Sequence, residues 1–169
     1  MAGLPIDKVR IFGDPLLKQP PRPVERFDED LRELAEMMYQ VMEREHGVGL
    51  AATQIGMNKS FMVWRDPETE ERGALANPRI VERSEDEETD DEGCLSLPGH
   101  LMPVSRSLRI VVESQDLTGE LRRIEVSGFL ARIFQHEVDH LEGKLILDRT
   151  TREDRKRILR EIREQTLGL

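Results

Sequence analysis

Apolar residues recur three and four positions apart between Asp28 and Gly47, at Leu31, Leu34, Ala35, Met38, Val41 and Met42. That period is one face of an α-helix. Asp28 supplies an N-cap carboxylate and Gly47 a stop. The pattern then changes. "FMVWR" at 61–65 is a short run of β-forming residues and predicts a strand. Part of 75–83 does the same, with Pro78 marking it as an edge or irregular strand because proline cannot donate to a ladder. "LRIVVESQD" (108–116) and "ELRRIEVSG" (120–128) partly alternate around a turn at 117–119, which predicts a β-hairpin. The helical period returns over 128–142, with Phe129, Leu130, Ile133, Phe134, Val138 and Leu141 on the buried side and Gly143 as the end. A last helix starts near Thr151, where Thr-x-x-Asp154 fits a capping box, and turns Ile158, Leu159 and Ile162 inward.

The stretches between these elements have their own character. Pro5, Pro15, Pro20, Pro21 and Pro23 make the first 25 residues an extended arm laid over the domain, with a helical turn at Leu16–Leu17. "GVGLAATQIG" (47–56) is small and glycine-rich. "ERSEDEETDDE" (82–92) is acidic and reads as a solvated loop with no assigned partner. Helix, several strands, central helix and terminal helix, in that order, give an α+β class.

With 169 residues, a single domain spanning 1–169 is expected. Charged residues (35%) nearly equal hydrophobic ones (37%), so the periodic core carries a heavily solvated surface. The net charge of −9 argues against a DNA-binding domain, which would be basic. No run approaches the ~18 apolar residues of a membrane span. The first twenty residues lack a basic segment followed by an apolar run, so a cytoplasmic protein without a secretory signal is expected. The only cysteine, Cys94, excludes an intrachain disulfide.

"FQHEVDHLEG" (134–143) carries the chemistry. Four residues are about 400° of helix, so His136 and His140 leave the same face. Such a pair is either a solvated polar face or a pincer for a transition metal. Glu137 beside the first histidine gives H-E-x-x-H, in which the glutamate serves as general base to metal-activated water. A catalytic metal usually takes three protein ligands. His46 sits near a helix end, where a cation suits the dipole. His100 follows Pro98–Gly99 in an expected surface loop. Cys94, in "EGCLSLPG", is either a small buried hydrophobe or a thiolate ligand. Residue types and spacing leave that choice open.

Three segments together resemble the peptide deformylases, the metal-dependent enzymes that remove the formyl group from the N-terminal methionine of new chains. They are "GVGLAATQ" (47–54), "EGCLS" (92–96) and "QHEVDHLEG" (135–143), and they match the family patterns G-x-G-x-A-A-x-Q, E-G-C-L-S and Q-H-E-x-D-H-L-x-G in the family's order. H-E-x-x-H alone fits many metalloproteases; the three together are highly specific. The resemblance implies antiparallel sheets packed around a central metal-binding helix, with a long N-terminal helix and a C-terminal helix. It makes Cys94, His136 and His140 the ligands of one divalent metal, Fe(II) in the usual physiological case, with nickel or zinc as substitutes. It makes Glu137 the general base, sets Gln54 and the Leu95 N–H against the substrate carbonyl oxygen, and places Gly49 against the substrate backbone. The implied substrate is a formyl-methionine peptide.

Further expectations follow from these roles. Val48, Phe129 and Ile133 are candidates for the methionine pocket, with plain core as the alternative for the last two. Asp139 either holds a histidine N–H or an arginine, or faces solvent; Gln135 has the same ambiguity. A thiolate ligand tempers the Lewis acidity of the metal and exposes the site to oxidation. Residues 150–169 carry a net charge of +2 on a chain of −9. That basic helix either docks on the core with solvated arginines or also meets ribosomal RNA phosphates. Two other classes stay open: another H-E-x-x-H metallohydrolase, peptidase or amidase, and an inactive metal-binding module.

Overall fold

The computed structural model describes residues 8–169, so Pro5 of the arm lies outside it. The arm contains a 3-10 turn at Pro15–Lys18, at the expected place, capped by Asp14, whose carboxylate accepts the Leu16 N–H at 3.0 Å. Helix α1 (Glu29–Arg44) begins at Asp28, whose side chain accepts the Leu31 N–H. Its acidic first turn and Arg44 in the last suit the dipole. The helix stops before Gly47. His46, not the glycine, takes the left-handed conformation (φ 56°), and the Gly47 N–H returns to the Met42 carbonyl at 2.8 Å.

Five strands, β1 (Gly49–Ala51), β2 (Phe61–Arg65), β3 (Arg72–Arg83), β6 (Arg109–Gln115) and β7 (Leu121–Ser127), form an antiparallel sheet in that spatial order. A separate pair joins β4 (Glu87–Glu92) to β5 (Met102–Ser107). The five-stranded sheet lies between α1 on one face and α2 (Gly128–Leu141) on the other. Leu50, Phe61, Val63 and Ala76 pack with the apolar stripe of α1, while Ala51, Met62 and Leu75 pack with Ile133, Phe134 and Val138 of α2. Burial on both faces explains why "FMVWR" is a continuous apolar run and does not alternate. Phe134 is fully buried, so truncating it to alanine costs about 3–5 kcal/mol.

Two expectations are corrected and one is narrowed. Strand β3 is irregular, as one reading of Pro78 had it, and lies at the centre of its sheet rather than at an edge, with the proline accommodated by a bulge between Ala76 and Arg79. Asn77 takes φ 51° there, and its side chain pairs with both the N–H (2.8 Å) and the carbonyl (2.9 Å) of Val24 in the arm. The acidic run is not wholly loop, because 87–92 is strand β4. It is exposed except at Glu92, and the apolar contribution comes from Met102 and Val104 of β5, a strand with no signal of its own in the sequence reading. Phe129 is half exposed at the start of α2, and Leu130 is only partly buried.

The last helix, α3 (Arg152–Leu167), is capped by the Thr151 hydroxyl, which accepts the Asp154 N–H at 3.0 Å. The Asp154 carboxylate returns to that hydroxyl rather than to the Thr151 N–H, so the box is half formed. Ile158 is buried, and Leu159 and Ile162 partly so, against Leu97, Met102, Val104, Ile146 and Leu147. No helix among the described residues is long and apolar enough to cross a membrane.

Candidate metal centre

Helical spacing brings His136 and His140 onto one face of α2, with ring centroids 5.1 Å apart. The turn after β4 delivers Cys94 to the same point, its Sγ 3.3 Å from Nε2 of His140. One donor atom from each of the three residues lies within 4.8 Å of the others. Two imidazole nitrogens and a sulfur around one point, with a cavity on the remaining side, fit a tetrahedral ion with one open position. The other histidines stay apart from this donor set. His100 is buried rather than on a surface loop, and its Nδ1 lies 3.2 Å from Oε2 of Glu161 on α3. His46 lines the cavity wall from its left-handed turn.

The charges in the site are strongly coupled. Burial alone would push the Cys94 thiol up, but the charges and hydrogen bonds of His140 and His136 outweigh it and hold the thiol well below its usual range. Burial would likewise push His136 down, and its contacts with Cys94 and Glu92 outweigh that and hold it well above the usual imidazole range. The same contacts favour the thiolate form of Cys94, the form that binds a metal. Glu137 is different. Burial raises its carboxyl pKa, and His136 and His140 only partly offset this. Its Oε2 is buried without a hydrogen-bond partner among the described residues. A carboxyl group raised in this way is suited to accept and return a proton near neutral pH.

A buried ionic layer supports the ligands. Oε1 of Glu92 lies 2.9 Å from Nδ1 of His136 and leaves Nε2 free to bind. The same carboxylate accepts two hydrogen bonds from Arg106 (2.9 Å each) and one from Arg132 (2.6 Å). Burial raises the Glu92 pKa, but the hydrogen bonds and charges of His136 and Arg106 outweigh it and hold it at about 2. Arg106 also donates to Asp139 (2.7 Å), which is bound from its other side by Arg149 (2.8 Å). Arg132 donates to the carbonyls of Val104 and Glu88 as well. Such a cluster is tolerable in the interior because its charges are paired and hydrogen-bonded. Asp139 thus holds arginines and no histidine. Gln135 is also inward, spanning the N–H (3.1 Å) and carbonyl (2.9 Å) of Ser107.

Glu92, Arg106 and Arg132 went unread in the sequence as site residues. A partial signal existed in α2, where Arg132, Gln135 and Asp139 form a polar stripe at helical spacing beside the apolar one, and all three are buried. His140 lacks the support that His136 has, because its Nδ1 is buried without a partner among the described residues.

The cavity lined by Cys94 and His136 measures about 750 Å³. Val48, Gly49, Gln54, Leu95, Phe129 and Ile133 all line it, together with Cys94, His136 and Glu137, while His140 lies behind them. Phe129 and Leu101 are its exposed apolar lining residues. Gln54 is fixed at both ends of its amide. Oε1 accepts the Ala51 N–H at 2.9 Å, and Nε2 donates to the Ser96 hydroxyl at 3.1 Å while lying 3.8 Å from the Cys94 sulfur. Gly49 packs directly on Glu137, where a Cβ would stand 2.6 Å from Oε1.

Residues 6–156 match the family model for polypeptide deformylase. The chain is 47% identical over 153 residues to a peptide deformylase of Dictyoglomus thermophilum, covering 89% of this chain and 97% of that one. It is 39% identical over 165 residues to a chloroplastic/mitochondrial peptide deformylase 1B of Arabidopsis thaliana, covering 96% of this chain and 59% of the relative. Among solved structures it is similar to the peptide deformylase of Thermus thermophilus, with a TM-score of 0.88, 41% identity and 95% of each chain covered.

Proposed function

The chain belongs to the polypeptide deformylase family and is a metal-dependent hydrolase that removes the N-formyl group from nascent polypeptides; from that premise we propose the role of each residue. The observation that carries the assignment of roles is Glu137, buried beside two ligands with Oε2 unpartnered among the described residues. A site that merely held a metal would have no use for it.

Cys94, His136 and His140 hold the ion, and Fe(II) is the proposed physiological occupant, with nickel and zinc compatible with the same sulfur and nitrogen donors. When bound, the ion supplies Lewis acidity and makes water available as a nucleophile near neutral pH. The remaining steps belong to the chain. Glu137 takes the proton of the attacking water. Gln54 Nε2 and the Leu95 N–H donate to the formyl oxygen as it becomes an oxyanion, a contribution of roughly 3 kcal/mol per donor. Glu137 then passes the proton to the amine nitrogen as the C–N bond breaks, leaving formate and a free N-terminus.

Gly49, on the free edge of the five-stranded sheet, meets the substrate backbone. Val48, Phe129 and Ile133 take the methionine side chain. The proposed location is the cytoplasm, where formylated chains emerge; the Arabidopsis relative is named for chloroplast and mitochondrion.

Transient ribosome contact is proposed through α3. Arg152, Lys156, Arg160 and Arg163 are exposed and fall on one face at spacings of four, four and three. None makes an ion pair among the described residues, whereas Arg155 and Arg157 are engaged with Asp148, Asp154 and Glu161.

The test compares formyl-Met-Ala-Ser with Met-Ala-Ser. Formate release from the first and no cleavage of the second supports the proposal. Peptide-bond cleavage would move the chain to the peptidase class, and no reaction with the metal loaded would make it a binding module.

A further inference from the structure

The arm between Arg10 and Lys18 crosses all three stretches that build the site. The main-chain N–H of Arg10 donates to the carbonyl of Gln54, and that of Phe12 donates to the carbonyl of Ser96 at 2.8 Å. Groups two residues apart on an extended chain leave the same side, so one short length of backbone can reach both acceptors. The two acceptor residues are themselves joined by the bond from Gln54 Nε2 to the Ser96 hydroxyl. Arm, Gln54 and Ser96 thus close a ring of hydrogen bonds. Leu95 is the residue immediately before Ser96.

The arm is anchored well enough to transmit this geometry. Leu17 is buried, Asp14 binds the Leu16 N–H, and the Phe12 ring packs into the same cluster as Cys94 and Leu97. Farther along, the arm lies against the end of α2: a Cβ on Gly143 would stand 2.5 Å from the Lys18 carbonyl oxygen, and Gly143 has φ 74°. By contrast, Ile11 is 58% exposed, and its N–H has no acceptor among the described residues.

We propose that Arg10 and Phe12 are positioning residues, whose main-chain N–H groups set the separation of the Gln54 amide and the Leu95 N–H. This rests on the reading of Gln54 and Leu95 as the donors to the formyl oxygen. The two donors come from segments distant in sequence, and neither Leu95 nor Ser96 lies in a helix or strand. Their alignment therefore depends on contacts between segments. Loss of a well-placed oxyanion donor costs about 10²–10³ in kcat, and a partial misplacement costs less.

Proline removes the N–H and tests the idea in the full-length, metal-loaded enzyme. Phe12→Pro is expected to lower kcat by about 10–100-fold with KM within about threefold and metal content unchanged. Phe12→Leu restores the N–H and is expected to rescue kcat. Ile11→Pro removes an N–H that binds nothing and is expected to leave kcat within about threefold. In ¹H–¹⁵N spectra of the zinc form, the Leu95 amide shifts in Phe12→Pro and stays in place in Ile11→Pro. If Phe12→Pro does not fold, Arg10→Pro removes the other donor and serves the same comparison. Normal kcat in a folded Phe12→Pro or Arg10→Pro overturns the inference, as does an equal loss in Ile11→Pro. Gln54→Ala separates the two layers: low kcat there beside normal kcat in Phe12→Pro sinks the arm alone, while normal kcat in Gln54→Ala sinks the donor pair and the inference with it.

Discussion

The Cα of Gly49 rests against the side chain of Glu137, so closely that any Cβ at position 49 would lie 2.6–2.9 Å from the glutamate's Oε1, Cγ and Cδ. Nothing in the sequence ties the two positions, yet the edge of the sheet holds the carboxylate against the ligand face of α2. Gly49→Ala is therefore expected to displace Glu137 and lower kcat by about 10–100-fold while metal binding and folding persist. Steady-state kinetics with metal analysis and a melting curve check this; unchanged kcat would show that the carboxylate has room to move.

Glu92 is expected to matter for holding the metal and for stability together. Glu92→Gln keeps the shape but leaves Arg106 and Arg132 short of charge and alters the partner of His136 Nδ1. Metal affinity should fall about 10–100-fold. Removing one partner from a buried ionic cluster costs about 3–5 kcal/mol. Chelator competition and denaturant unfolding measure the two effects.

The same residue sets a pH dependence. The folded pKa of Glu92 is held at about 2, below that of an unfolded glutamate, so the folded state binds this proton less readily. Its contribution to stability is fully present above about pH 4.3 and is lost as pH falls through about 2. Asp139 is shifted in the same direction; burial opposes the shift and is outweighed by Arg149 and Arg106. Unfolding free energy should thus decline on acidification from pH 5, and less steeply in Glu92→Gln.

Cys94 gives a spectroscopic prediction. The cobalt-substituted protein should show a sulfur-to-metal charge-transfer band that disappears in Cys94→Ser. The iron form should lose activity in air, with protection by catalase, and the nickel form should last much longer. No such band in the intact protein would place the third ligand elsewhere.

Much of this was legible where local physics decides. The periods of α1, α2 and α3 and the caps of α1 and α3 were readable, since Asp28 and Thr151 bind their own first turns. Strand β4 was not, because its exposed residues are acidic and the apolar residues of that ribbon sit on β5. Pro78 pointed to an edge or an irregular strand, and the second holds: Asn77 turns the chain left-handed and a bulge accommodates the proline in mid-sheet. The ligands, Glu137, Gly49, Gln54 and Leu95 came from local motifs, and Phe129 and Ile133 from helical spacing. Glu92 stood in the EGCLS motif, but its role did not show there, and Arg106 and Arg132 lay in no motif, because only folding brings those three charges together. His100 looked like a surface residue after Pro98–Gly99, but it is buried, and its partner Glu161 comes from α3, far along the chain.

Charge reversal on α3 tests the ribosome proposal. Lys156→Glu/Arg160→Glu changes two positions of the exposed stripe that make no ion pair among the described residues and leaves Arg155 and its bond to the Leu147 carbonyl intact. Co-sedimentation with ribosomes should weaken in this variant, and for the intact chain should weaken steeply with salt. A folded variant that pellets as well as the intact chain would leave α3 a structural helix alone.

The most direct measurement of the central claim is Glu137→Ala, assayed on formyl-Met-Ala-Ser alongside its metal content. Cys94, His136 and His140 remain, so the variant should bind one metal per chain while kcat falls by about 10²–10⁴ or more. Near-normal turnover, or loss of the metal with the carboxylate, would contradict the assignment of Glu137 as the base.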